Sequence, residues 1–277
     1  MAAHIFRNRR DNHMSAYFTD YPRYAWQLFS GFRANHEQYL AALRERDLGA
    51  WVDIGGSLDI LDLANGRLRP QYALLKRNGY NVYGVDFANR PTMRWENWAY
   101  RAARWAYRQK LAAPMSADTT LICGDVGVLP FPEARFDAVT SIAAFEHFLD
   151  VPSVVAELHR VLRPGGVAWL CIHLFTAPSG GHNLSFAQLP LHSLPAGVEP
   201  WDHLRQRRLG FHVPLNEWRR DQYLQAIGQH FEILRHYCAI REGEHLLTAP
   251  VAAELAEYEQ DELTARDYVI VARKPTA

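Results

Sequence analysis

The stretch WVDIGGSLDILDLANGRLRPQYALLKRNGYNVYGVD, residues 51–86, decides how the rest of the chain is read. Trp51-Val52-Asp53-Ile54 is a short apolar run halted by Gly55-Gly56, the form of a first parallel strand followed by a glycine turn. Arg69 to Asn78 carries Tyr72, Leu74 and Leu75, with Pro70 suited to a first helical turn and Gly79 to a C-terminal cap. Val82-Tyr83-Gly84-Val85 returns as a second strand, and Asp86 stands at its end. Strand, helix and parallel strand make one crossover unit, whose ligands bind beyond the carboxyl ends of the strands. Asp86 is thereby placed to accept hydrogen bonds from two ribose hydroxyls, with Phe87 beside it. That outlines a site for a nucleoside-bearing cofactor.

Composition sets outer bounds. Lys+Arg and Asp+Glu balance at 30 each, so no net field favours nucleic acid or an anionic membrane. No apolar leader core and no run long enough to span a bilayer is present, and a cytoplasmic location is expected. Cys123, Cys171 and Cys238 sit in apolar, strand-like segments without CxxC spacing, and read as buried free thiols.

Around the central unit, Arg7, Arg9 and Arg10 read as a solvated arm, and Pro22 to Arg46 turns helical with Trp26, Phe29, Tyr39, Leu40 and Leu43. Residues 1–48 are expected as a helical cap that packs on the sheet or lies over the cofactor as a lid. Residues 49–277 form the main domain, with insertions at about 91–113 and 175–214. In the first, Trp95, Trp98, Ala102 and Trp105 fall near one helical face, which a core-packed amphipathic helix explains; the competing reading is an aromatic and cationic wall. Further strands are expected at Thr119–Cys123, Ala138–Ile142, Val167–Leu174, Phe231–Ala239 and Tyr268–Ala272, with helices at Pro152–Leu162, Pro214–Gly228 and Ala249–Leu263. Alternation throughout predicts an α/β fold: a doubly wound, mostly parallel seven-stranded sheet.

Three blocks together resemble the class I S-adenosylmethionine-dependent methyltransferase family. They are VDIGG at 52–56 with Asp86 after strand two, CGDVGVLPFPEARFDAVTSIAAFEHFLD at 123–150, and ELHRVLRPGGVAWL at 157–170. The resemblance implies a Rossmann-like methyltransferase fold, S-adenosyl-L-methionine as cofactor and S-adenosyl-L-homocysteine as product. It implies that Asp53, Gly55, Gly56 and Ser57 hold the methionine end and that Asp86 and Phe87 meet the ribose. Asp125 and Val126 would meet the adenine, and Ser141 and Ala143 would line the sulfonium. Two departures stand out. Ser57 and Asp59 replace the second and third glycines of the family's Asp-x-Gly-x-Gly-x-Gly turn, and the 33 residues from Asp53 to Asp86 exceed the usual interval by about ten. LDILDLANG reads accordingly as an inserted loop.

Methyl transfer to a hydroxyl needs a base, and histidine suits that at neutral pH. His147, after strand four, and His173, at the end of strand five, are the candidates. His182, His192, His203 and His212 lack the short spacing of a ligand pair, so no metal site is expected. Trp201, Asp202, His203 and Arg205 would suit a sugar, whereas Trp95, Trp98 or Phe186 would suit a flat acceptor. The reading is O-methylation of a hydroxyl on a sugar or natural product, a small-molecule acceptor, without nucleic acid or membrane and compatible with a homodimer. N- or C-methylation on the same scaffold, and a non-catalytic binding protein, stay open.

Overall fold

The computed structural model describes residues 32–51, 57–66, 68–87, 94–113, 120–182, 199–208, 211 and 213–276. Its seven strands are β1 (Asp59–Leu63), β2 (Asn81–Val85), β3 (Leu121–Ile122), β4 (Phe136–Ile142), β5 (Leu162–His173), β6 (Glu232–Arg241) and β7 (Ala265–Arg273). They form one sheet in the order β3-β2-β1-β4-β5-β7-β6. β1 to β5 run parallel, while β7 lies antiparallel between β5 and β6. The doubly wound sheet expected from the sequence is present, and its order reverses between β1 and β4, where ligands of such sheets bind.

The first strand is not where the sequence reading put it. Trp51 ends the helix Phe32–Trp51, and Val52 to Gly56 lie outside the described residues. β1 is Asp59–Leu63, from the segment read as an inserted loop. A strand in mid-sheet needs apolar side chains on both faces, and Leu58, Ile60, Leu61 and Leu63 supply them, each at most 5% exposed. The two acids that disguised the strand both have cationic partners: Asp59 meets Arg135 at 2.5 Å, and Asp62 faces Arg44 at 3.6 Å.

Alternation along the strands divides the core. Leu61, Leu63, Phe136, Val139 and Ile270 face the helices Val151–Val161 and Arg220–Gly228. Ile60, Val82, Ala138, Trp169 and Val271 face the helices Phe32–Trp51 and Pro70–Arg77, through Leu40, Leu43, Leu48, Tyr72 and Leu75. The described part of the N-terminal helical region therefore packs on the sheet. Asp47, 1% exposed, fastens it there by accepting hydrogen bonds from Trp169 Nε1 at 2.8 Å and the Tyr237 hydroxyl at 2.6 Å.

Other expectations shift in detail. The helix Arg94–Lys110 turns Tyr107 inward, with Leu111 just beyond it, and leaves Trp105 57% exposed, so the inward face is not the one that Trp105 marks. Helix begins at Arg220 rather than Pro214, and Ala249–Leu263 is two short helices, Ala249–Glu254 and Gln260–Thr264. Cys171 is buried but Cys123 is exposed; all three thiols are free. Among the described residues no helix is long and apolar enough to cross a membrane.

Candidate active site

The carboxyl edge of the sheet begins with the turn after β1. Ala64 donates its N–H to Val85 O at 2.8 Å, and Gly66 donates to Asp86 Oδ2 at 2.7 Å, tying the turn to the tip of β2. Ala64 and Gly66 both take left-handed backbone, at φ 50° and 64°. That conformation costs an L-residue about 1–2 kcal/mol, partly offset by the greater freedom of an unfolded glycine. Ala64→Gly is therefore expected to raise stability by about 0.5–1 kcal/mol, read from urea denaturation midpoints. Asn65, 4% exposed, has no hydrogen-bond partner for either amide atom among the described residues.

This turn relocates part of the expected site. Asp62-Leu63-Ala64-Asn65-Gly66 stands where the sequence reading put Asp53-Ile54-Gly55-Gly56-Ser57. Asp53, Gly55 and Gly56 lie outside the described residues. Ser57 is exposed and precedes β1, at the end of the strand away from the ligand edge. From Asp62 to Asp86 is 24 residues, which removes the irregular interval. That interval was the signal by which β1 could have been found.

The remaining expected cofactor residues do meet this edge. Asp86 and the exposed Phe87 follow β2. Asp125 follows β3, and its Oδ1 accepts from Gly127 N at 2.8 Å, with Val126 buried behind it. Ser141, in β4, is fully buried with no partner for its hydroxyl among the described residues, and Ala143 beyond it takes φ 48°.

Past β4 the chain makes a tight turn, Phe145–His147. The segment Pro214 to Trp218 holds it: Asn216 Nδ2 donates to Phe145 O at 2.8 Å and Phe148 O at 3.0 Å, and its Oδ1 accepts from the Tyr223 hydroxyl at 2.8 Å. His147 Nδ1 lies 2.9 Å from Pro214 O. A carbonyl only accepts, so Nδ1 carries the proton and Nε2 keeps its lone pair. His182 arrives on the turn after β5, where Gly180 packs so closely that a Cβ would sit 2.2 Å from Phe175 O.

Four titratable groups meet here. Glu146 is 1% exposed, and neither carboxyl oxygen has a side-chain hydrogen-bond partner among the described residues; backbone N–H groups of Glu146 and His173 and the charge of Arg266 offset only part of its burial. Its Oε1 lies 3.9 Å from His147 Nε2 and 3.8 Å from His182 Nε2. The His182 ring packs against His147 at 4.7 Å and His173 at 4.6 Å between centroids. Burial pushes the Glu146 carboxyl up to about 8 and the His182 imidazole down to about 3. The same cause lowers His147, and lowers His173 further with cationic and imidazole neighbours adding to it. His173 Nε2 is held 2.8 Å from Ser179 Oγ, which in turn contacts Glu242. The two expected bases are thus brought to one place, and His173 is the more enclosed.

The residues expected to take a sugar are spent on structure. Trp201 is fully buried, donating Nε1–H to Thr176 O at 3.0 Å and Leu263 O at 3.1 Å. Asp202 is buried, His203 donates to Phe175 O at 2.7 Å, and Arg205 pairs with Glu254 at 2.7 Å. His192, His212 and Phe186 lie outside the described residues, as do the side chains of Trp95 and Trp98. Sequence reasoning assigned no role to Asp62, Asn65, Gly66 or Glu146, and did not single out His182.

A family model described as a methyltransferase domain matches residues 61–170. The sterol 24-C-methyltransferase of Aspergillus fumigatus is 33% identical over 153 residues, covering 54% of this chain and 38% of that protein. The demethylmenaquinone methyltransferase of Thermus thermophilus is 36% identical over 108 residues, covering 39% of this chain and 43% of that protein. The chain thus spans less than half the length of either relative. A crystal structure of a Pyrococcus horikoshii protein shares the fold, with TM-score 0.52 at 18% identity over 88% of this chain and 91% of that one. Sheet order, the acid closing β2 and the matched stretch converge: residues 61–170 match a methyltransferase domain, set in the sheet that the class I S-adenosylmethionine-dependent methyltransferases share.

Proposed function

We propose that this enzyme methylates a small molecule whose reacting centre bears an acidic hydroxyl, such as a phenol, enol or hydroquinone. The methyl goes to that oxygen or to a carbon conjugated with it. The observation that carries the reading is the Glu146 carboxyl, buried without a side-chain hydrogen-bond partner among the described residues and enclosed with His147 and His182 at the end of β4. Burial lowers the His147 imidazole below its ordinary value, making it a weak base that takes a proton from a phenol, near 10, far more readily than from a hydroxyl near 16. A sugar alcohol is of the second kind, and the side chains that would have suited a sugar are buried or paired. The relatives, whose names give a sterol and demethylmenaquinone as substrates, support a lipophilic acceptor over a sugar.

The residues at the edge fit the cofactor. Among the described residues, Asn65 and Ser141 each bury polar atoms without a partner, at the ends of β1 and β4 where the methionine portion would lie. Asp86 takes the ribose hydroxyls, Asp125 and Val126 the adenine, and the Ala64-Asn65-Gly66 turn the methionine tail. When bound, the cofactor supplies an electrophilic methyl on a sulfonium. The acceptor's proton would pass to His147 Nε2, held in place by the Nδ1–H bond to Pro214 O and flanked by Glu146 and His182. Orientation of this kind is worth roughly 7–11 kcal/mol at best, and a placed proton acceptor adds about 10²–10⁴ in rate.

The test is calorimetric titration with S-adenosylhomocysteine, then a screen of phenols, hydroquinones, sterols and sugars with methyl-labelled cofactor. Micromolar binding and labelling of a phenol or hydroquinone are expected, with His147→Ala lowering turnover about 10²–10⁴-fold. NMR of the product separates oxygen from carbon methylation. Labelling of sugars alone, or of amines with no loss in His147→Ala, would overturn the reading.

A further inference from the structure

The cluster beside β4 has the makings of a cation site, which spacing along the chain could not show. Glu146 and His147 are neighbours on one turn, whereas His182 comes from the loop after β5. One ligand atom from each lies within 4.8 Å of the others. Glu146 is 1% exposed, yet among the described residues neither oxygen has a side-chain hydrogen-bond partner, only backbone N–H groups of Glu146 and His173 and the charge of Arg266 acting on it, and the buried His182 Nε2 has no partner there. A buried carboxyl this poorly compensated is unfavourable in its charged form, and native folds keep such groups where something else satisfies them. His147 contributes in the same sense. Its Nδ1–H is committed to Pro214 O at 2.9 Å, leaving Nε2 as the electron-pair donor that faces Glu146. A backbone carbonyl that fixes the tautomer in this way is the usual outer support of a metal-binding imidazole.

We propose that Glu146, His147 and His182 bind a divalent first-row transition ion at the acceptor edge of the sheet. Two imidazoles and one carboxylate form a mixed nitrogen and oxygen set, which suits manganese, iron, cobalt or zinc rather than calcium. Bonds of about 2.0–2.2 Å place tetrahedral ligand atoms about 3.4 Å apart. The 3.8 and 3.9 Å separations on Glu146 Oε1 need to close by a few tenths of an ångström, and the widest separation in the set, up to 4.8 Å, by about 1.4 Å, a side-chain rotation rather than a backbone shift. Three protein ligands leave coordination positions for an oxygen of the acceptor; with the ion bound, the imidazole lone pairs would be engaged on it, and the cation would acidify the hydroxyl in place of the imidazole base. The ion's place beside the acceptor rests on the methyl-transfer reading above; its binding to these three side chains does not.

The experiment uses the full chain, stripped with a chelator and titrated separately with Mn2+ and Co2+. Calorimetry follows Mn2+, and visible and X-ray absorption follow Co2+. One ion per chain is expected, with imidazole nitrogen in the Co2+ shell. Glu146→Gln and His182→Ala should each weaken binding at least tenfold while S-adenosylhomocysteine still binds. Absence of saturable metal binding in wild-type protein that binds S-adenosylhomocysteine would overturn the ion and leave the methyltransferase reading intact. A Co2+ shell lacking imidazole, or equal metal affinity in both variants, would overturn it too. Metal binding without turnover of any phenol or hydroquinone would keep the ion and remove the proposed acceptor class.

Discussion

Asp86→Ala is expected to weaken S-adenosylhomocysteine binding about 100-fold, with the fold retained. Each hydrogen bond to a charged group contributes about 1.5–3 kcal/mol, and a carboxylate at this position would accept two from the ribose. Two at the lower figure give about 3 kcal/mol, slightly over two decades in Kd. The side chain also accepts the Gly66 N–H at 2.7 Å, so stability should fall by about 1 kcal/mol as well. Asp86→Asn separates the two effects. Its amide oxygen can still receive Gly66, but its NH2 group cannot accept from a hydroxyl, so stability should recover more than affinity does. Calorimetry and urea denaturation of the three proteins read both quantities. Affinity within threefold of wild type in the alanine variant would place the ribose elsewhere.

Asp62→Ala is expected to lose about 3–5 kcal/mol of stability, and Arg44→Met much less at low pH. Arg44 is fully buried and faces Asp62 at 3.6 Å; removing the acid leaves a guanidinium that cannot shed its proton. Removing the arginine leaves an acid that can be neutralised. Burial already lifts the Asp62 carboxyl to about 6 in the presence of Arg44 and of a hydrogen bond from Thr140. The folded chain therefore holds a proton there that the unfolded chain, with its carboxyl near 3.9, has released. Stability on this account falls as pH rises from about 4 to 6 and then levels in wild type. In Arg44→Met the carboxyl rises further, and the fall continues above 6 at up to about 1.4 kcal/mol per pH unit. Asp62→Ala shows no such slope. Denaturation midpoints across that range would decide it.

How much of this was legible in the sequence follows from what each residue signals alone. β2, β4 and the helix Val151–Val161 carry apolar patterns with clear stops, and they stand within a few residues of their expected places. β1 was missed because Asp59 and Asp62 interrupt its pattern. The cations that make those acids tolerable, Arg135 and Arg44, are distant in sequence and unreadable from it. Trp201 misled for the opposite reason. A tryptophan in a polar loop suggests a binding surface, yet its indole N–H finds two backbone carbonyls inside the protein. His147 and His173 were picked out by their places after strands. Glu146 gained its meaning only when the loop after β5 brought His182 across to it.

The wedged position of β7 bears on how the chain is made. β5 ends at His173, but its neighbour on one side is Ala265–Arg273. The roughly 90 residues between them take about 5–20 s to emerge from a ribosome. Throughout that time the hydrogen-bonding edge of Val167 to Ile172 stands bare, as does the inner edge of β6 once it appears. These are open apolar templates on which a stranger's strand can dock. The nascent protein thus calls for shelter by a chaperone, or low crowding of sibling chains, until its seventh strand arrives to close the gap.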